Sequence, residues 1–289
     1  MILFVNNFVD FIFEKLYNWL KTGKKAGLLL KLGINLESVS GLTNAEYIKT
    51  IAELGFSSTF TDMTETKNVE EIANLCQKHG ISYETIHAPL INVNSIWQDT
   101  INGDDVLKII TDCVDTCSNA NVPIIIAHLT SGCLPPDISP VGCERIKKLV
   151  DYAGKKDVKI AFENLRVLPH LDWAMNEFKN NNTVGFCWDL GHENCFTRKV
   201  DFLSLYGEQL ICTHIHDNYK RRWKDKHILP FDGRINYKKA AERIKKTGFN
   251  RTLMLEVFAE NHRRYKKLTP QEFLQKAYYS IKKFDNLIK

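Results

Sequence analysis

The sequence predicts a (β/α)8 barrel over residues 28–289, preceded by an accessory helix in residues 1–27. Three observations carry this prediction. Eight short apolar runs alternate strictly with segments of helical period, the pattern of a parallel sheet faced by helices. The 289 residues hold one such barrel, whose usual size is about 250 residues. The longest non-repetitive connections, 88–103, 129–139 and 218–236, all follow strands, on the face where such barrels carry their sites. An open doubly wound sheet is the alternative arrangement. No GxGxxG follows the first strand, which removes the commonest use of that fold.

Taken in order, Leu30–Leu36 is the first strand-like run. Asn44–Leu54 is helical, with Asn44 or Thr43 as N-cap and Gly55 as its stop. Phe56–Phe60 is the second strand, and Val69–His79 is the helix that Gly80 ends. Ile81–His87 and Val122–Ala127 are the third and fourth strands, with the helix Asp104–Ala120 between them. The run VPIIIA suits a strand buried on both faces. Gly142–Gly154 is helical, Val158–Phe162 is the fifth strand and Leu171–Lys179 a helix. Val184–Trp188 is the sixth strand, followed by a short helix near Phe202–Tyr206. Leu210–Thr213, the helix Tyr237–Lys246, Thr252–Leu255 and the helix Pro270–Phe284 complete the eight units.

Composition narrows the function classes. With 44% hydrophobic and 25% charged residues, the chain is ordinary for a soluble protein. The eight cysteines show no CxxC pair and no regular framework, so they read as reduced thiols of a cytoplasmic protein. A net charge of +5 is weak evidence for nucleic acid. In residues 1–20, Val5, Phe8, Val9, Ile12, Leu16 and Leu20 fall at helical spacing. Asp10, Glu14 and Lys15 interrupt this segment as a membrane span, and it lacks the marks of a signal peptide. Two readings stay open: a helix docked on the barrel, or an amphipathic helix lying on a membrane surface.

The chemistry collects where strands stop. The third to eighth strands end at His87, His128, Glu163, Asp189, His214 and Glu256. In a parallel barrel these ends converge on one axis, so six metal-ligand types face one bowl. Glu163 and Glu256 each close an apolar run, where a buried carboxylate needs a compensating cation. His192 follows Asp189 by three positions. The stretch Leu210–Gly233 adds His216, Asp217, Asp225 and His227. Imidazole nitrogen with carboxylate oxygen is the donor set of zinc or manganese. Glu163, Asp189, His214 and Glu256 are the expected core ligands of a metal site. The basic run Lys220, Arg221, Arg222, Lys224 and Lys226 reads as a solvated loop, or as a contact for a sugar phosphate or a nucleic-acid backbone.

From Lys31 to Phe284 the motifs IHAP, AFEN, WDLGH, HIHDN with DKH, and LMLEV resemble the xylose isomerase-like TIM barrels. That superfamily includes sugar isomerases and epimerases and the apurinic endonuclease IV family. The resemblance to the sugar branch implies one divalent ion (manganese, zinc, magnesium or cobalt) on Glu163, Asp189, His214 and Glu256. It implies proton transfer by Glu163 and Glu256 through a metal-bound cis-enediolate, with His192 holding a substrate oxygen. It also implies a small carbohydrate substrate, with Arg221 and Arg222 as its contacts, and homodimers are common in the group. His87, His128, His216, Asp225 and His227 are additional metal or substrate residues.

The endonuclease branch implies three zinc ions and a DNA partner instead. Its nine ligand types have counterparts at His87, His128, Glu163, Asp189, His192, His214, Asp225, His227 and Glu256. Three departures separate this chain from it. Leu90 stands where the nuclease has a Tyr, His216-Asp217-Asn218 replaces its Asn-Asp-Ser, and Asp189-Leu190-Gly191-His192 replaces its Asp-Thr-Cys-His. The sugar branch has its own departure, Phe231 in a turn where glycine is expected.

Overall fold

A computed structural model describes residues 30–63, 68–221 and 224–289. The helix expected in residues 1–27, and Arg222, lie outside them. Eight strands run in chain order around the sheet: β1 (Lys31–Asn35), β2 (Ser58–Asp62), β3 (Ser82–His87), β4 (Ile124–Ala127), β5 (Lys159–Glu163), β6 (Val184–Asp189), β7 (Leu210–His214) and β8 (Thr252–Leu255). Every pairing between neighbours is parallel, and β8 pairs with β1. The open sheet is thereby excluded.

The β7–β8 seam closes the barrel with less backbone pairing than the others. Ile215 bridges Leu255 just beyond β7. The Thr213 hydroxyl donates to Thr252 O (3.0 Å) and accepts from Met254 N–H (3.1 Å), standing in for missing ladder bonds.

Outside the sheet lie α1 (Asn44–Leu54), α2 (Val69–His79), α3 (Ile101–Asn119), α4 (Pro140–Lys155), α5 (Pro169–Glu177), α6 (Leu190–Cys195), α7 (Phe202–Tyr206), α8 (Tyr237–Thr247) and α9 (Pro270–Ile288). Their apolar faces join the outward strand residues in one core. Ile124, Ile126, Ala161, Cys187 and Cys212 form a separate small apolar cluster inside the barrel.

Several strands start later than the sequence predicts, for one physical reason. Gly55 caps α1 in the left-handed conformation, and Phe56 N–H donates back to Ile51 O (3.0 Å). Ile81 does the same to Cys76 O after Gly80. The apolar residue after the glycine thus completes the helix cap rather than opening the strand. Thr43, not Asn44, is the N-cap of α1, in a capping box with Glu46. Helix α6 is the one element of the described site region without a sequence signal. Its six residues are too few to show periodicity.

Candidate metal centre

Side chains alternate along a strand, so Ala161 and Glu163 on β5, Cys187 and Asp189 on β6, and Cys212 and His214 on β7 point inward. The carboxylates and His214 form the upper layer. Ligand atoms of Glu163, Asp189, His214 and Glu256 all lie within 4.8 Å of one another. His214 is fully buried, with Nδ1 3.4 Å from Glu163 Oε2 and 3.5 Å from Glu256 Oε2. Phe60 stacks on its ring at 4.8 Å and fixes its plane.

Two further donor groups adjoin this one. His87 and His128 approach Glu163 Oε2 at 3.3 and 3.4 Å and form a donor group with it. His192, His216, Asp225 and His227 form the other. In it Asp225 Oδ2 lies 3.0 Å from His192 Nε2 and 3.1 Å from His227 Nε2, and Oδ1 lies 3.7 Å from His216 Nδ1. His216 Nε2 is 3.1 Å from Asp189 Oδ1, so this ring links the second group to the first.

Three histidines are oriented alike. Nδ1 of His87 faces Ala88 O (2.8 Å), that of His192 faces Asn164 O (3.0 Å), and that of His227 faces Glu256 O (3.1 Å). A carbonyl only accepts, so each Nδ1 carries a proton and each ring turns its Nε2 into the bowl, where it can give a lone pair to a cation once its own proton has left. A backbone carbonyl behind the ring is the usual support of a metal-binding histidine. A second observation fits the same group. Glu163 Oε1, Glu256 Oε2 and both ring nitrogens of His214 are buried without a well-formed hydrogen bond, although charged neighbours approach to 3.2–3.5 Å. These residues therefore fit a divalent cation.

The electrostatics follow from this packing. Burial opposes ionisation of Glu163, yet His214 and His128 hold its carboxyl well below the usual range. Burial likewise opposes ionisation of Asp225 and Glu256. His216 and His192 hold Asp225 low, and His214 and His227 hold Glu256 low. Burial disfavours the charged form of His87, but Glu163 and Asp62 push its pKa up to about 9. His192, His214 and His227 also rise against burial, through the carboxylates facing them. In His128 burial prevails and lowers the pKa to about 3.

Local structure holds these groups in place. The Asn164 side chain donates to Asp189 O and accepts from Asp189 N–H, both at 2.8 Å, which aligns the end of β6. Asp189 Oδ1 accepts from His192 N–H and caps α6. Gly191 is needed because a Cβ there would stand 1.9 Å from His216 Cε1.

Asp217 is not among the converging groups. It follows His216 and so faces the other way. Its carboxylate accepts from the backbone N–H groups of Asn218, Phe231, Gly233, Arg234 and Ile235 at 2.8–3.1 Å. Phe231 adopts a φ of 71° in this loop, where glycine is the easier residue. Its ring rests on Tyr237 (4.4 Å) and beneath Lys283 Nζ (4.1 Å). Arg221 is exposed, with its carbonyl accepting from Cys195 Sγ. Cys187 escaped the sequence reading. It lies beside Glu163 and His214, and its one signal was its position two residues before Asp189.

The fold and this cluster define a (β/α)8 barrel with a histidine–carboxylate centre at its strand ends. The chain belongs to the xylose isomerase-like TIM barrel family, whose sequence profile matches residues 48–277. Protein y4fM of Sinorhizobium fredii is 31% identical over 110 residues, which are 38% of this chain and 33% of that protein. Among solved structures, a xylose isomerase-like TIM barrel/4-hydroxyphenylpyruvate dioxygenase fusion protein superposes with a TM-score of 0.73 at 15% identity. That match covers 90% of this chain but 43% of the fusion. D-psicose 3-epimerase of Clostridium cellulolyticum H10, solved with D-tagatose, gives 0.71 at 15% identity, over 90% of this chain and all of that one. The 3-keto-D-glucoside 4-epimerase of E. coli gives 0.68 at 16%, over 89% and 100%. At these identities the structures share the fold. No helix among the described residues is long and apolar enough to cross a membrane.

Proposed function

We propose that this chain is a divalent-metal-dependent isomerase or epimerase of a sugar, sugar phosphate or polyol derivative. The observation that carries the reading is the convergence of Glu163, Asp189, His214 and Glu256 within 4.8 Å, with both glutamates approaching His214 Nδ1. Family membership supports it, as do fold neighbours that are named as sugar epimerases. A manganese, zinc, magnesium or cobalt ion held by these four residues would supply Lewis acidity and make the C–H beside a ketose carbonyl acidic. Glu163 or Glu256 removes that proton, leaving a cis-enediolate. The other glutamate, entering that step as the carboxylic acid, protonates the opposite face to give the epimer, and return of the abstracted proton by the same glutamate to the neighbouring carbon gives the isomer. His192 Nε2 holds a substrate oxygen.

The test is deuterium uptake. Metal-loaded protein is incubated in D2O with a panel of ketoses and ketose phosphates and followed by NMR. At least one substrate should take up deuterium beside its carbonyl and yield an epimer or isomer. Loss of one general acid–base group costs about 10²–10⁴-fold, so Glu163→Gln and Glu256→Gln should fall by that much. Wild-type rates in Glu163→Gln would sink its role.

A second reading is zinc-dependent cleavage of DNA at abasic sites. The two additional donor groups favour it, because three ions can clamp a phosphodiester and activate hydroxide. Elemental mass spectrometry on protein purified without chelator separates the readings. About one ion per chain accords with the isomerase. About three zinc, with cleavage of an abasic duplex, would replace it.

A further inference from the structure

We infer that Cys187 is a thiolate ligand of the metal held at the strand ends, and that it makes this centre prefer zinc or cobalt to manganese or magnesium. The inference rests on the reading that Glu163 and His214 bind an ion. Cys187 Sγ, a Glu163 oxygen and a His214 nitrogen lie within 4.8 Å of one another, and all three residues are buried. Their placement follows from the sheet. Cys187 is the register partner of Glu163 on β5. It also precedes Asp189 by two residues, so both side chains leave β6 on its inner face. The β6–β7 register shifts between Phe186 and Cys187, an irregularity of the kind that re-aims side chains beside sites.

The partners are independently poised for a cation. Both ring nitrogens of His214 and Oε1 of Glu163 are buried without a well-formed hydrogen bond. Cys187 shares a small apolar cluster with Ile124, Ile126, Ala161 and Cys212. The sulfur thus joins apolar neighbours to the donor group at the strand ends. Cys212 is also buried and belongs to the same cluster but falls outside the donor group. On coordination the S–H bond breaks heterolytically, its electron pair forms the S–metal bond, and the proton passes to buffer. Oxygen and imidazole donors suit manganese as well as zinc, whereas a thiolate selects the softer ion.

Cobalt(II) reports a thiolate directly through a near-ultraviolet sulfur-to-metal charge-transfer band. The full chain is stripped with chelator, kept reduced with a phosphine and reloaded with one equivalent of cobalt(II). The band should appear in wild type and in Cys212→Ala, and be absent from Cys187→Ala and Cys187→Ser while both still bind cobalt. In competition titrations the zinc-over-manganese preference should fall in Cys187→Ala by at least the 10–100-fold (about) that outer-shell changes reach. Should the alanine variant fail to fold, the near-isosteric serine variant carries the same test. Bound cobalt without the band in wild type, or with the band kept in Cys187→Ser, overturns the thiolate and leaves the histidine–carboxylate reading standing. No cobalt uptake by wild type overturns both.

Discussion

Replacing Asp217 by Asn should cost about 2–6 kcal/mol of stability, although the two side chains have the same shape. Oδ1 accepts from Asn218, Arg234 and Ile235 N–H, and Oδ2 from Phe231 and Gly233 N–H. Burial pushes this carboxyl's pKa up and the amides oppose that rise. Asn keeps one acceptor oxygen and turns an NH2 toward the other set. In the better orientation two part-buried amides lose their acceptor, at about 1–3 kcal/mol each. That is a large share of the 5–15 kcal/mol (about) typical of a folded domain. Gly233 belongs to the same clamp, since a Cβ there would meet Asp217 Oδ1 at 2.2 Å. Urea unfolding followed by far-ultraviolet circular dichroism measures the global loss. Hydrogen exchange at the amides of Phe231, Gly233, Arg234 and Ile235 detects a loop that opens without global unfolding. A loss under about 1 kcal/mol with unchanged exchange at those amides would refute the clamp.

Gly191→Ala should destabilise the chain by about 1–3 kcal/mol, the usual cost of overpacking, and weaken zinc binding, because the new methyl displaces His216. Equal unfolding midpoints and equal zinc affinity would count against that packing. Metal binding near pH 7 should release protons. The carboxylates keep His87 charged up to about pH 9 and raise His192, His214 and His227 as well, and the incoming ion displaces those protons. Titration calorimetry in buffers of different ionisation enthalpy should therefore give buffer-dependent heats, and buffer-independent heats would contradict it. Burial lowers the pKa of His170, whose Nε2 faces Pro136 O at 2.9 Å. A depressed histidine stabilises above its unfolded value of about 6.5, and this contribution fades as pH falls toward the folded value. Wild type should thus lose stability relative to His170→Gln between pH 7.5 and 5, and a pH-independent difference in urea midpoint would exclude the effect.

The β-branched run of β4, the glycine stops after α1 and α2, and the donor residues at the ends of β3 to β8 were all legible in the chain. Each is a local matter of side-chain period, backbone conformation or residue type. The six-residue helix α6 was not, because Asp189 starts it by capping His192 N–H rather than by any apolar pattern. The late start of β2 was hidden for a similar reason, Phe56 being used by the cap of α1.

The sequence by itself determined the order of strands and helices and the donor types at the strand ends. Periods of two and about 3.6 residues, and the chemistry of His, Asp and Glu, are properties of short segments. Only the tertiary structure decided which donors meet. Asp217 and His216 are neighbours in one motif, yet alternation at the strand end sends the imidazole to Asp189 and the carboxylate to five backbone amides. Cys187 stood out in the chain only by preceding Asp189 by two residues, and closure of the sheet set it beside Glu163 and His214. Convergence depends on register and closure across strands far apart in the chain, and no local pattern encodes those distances.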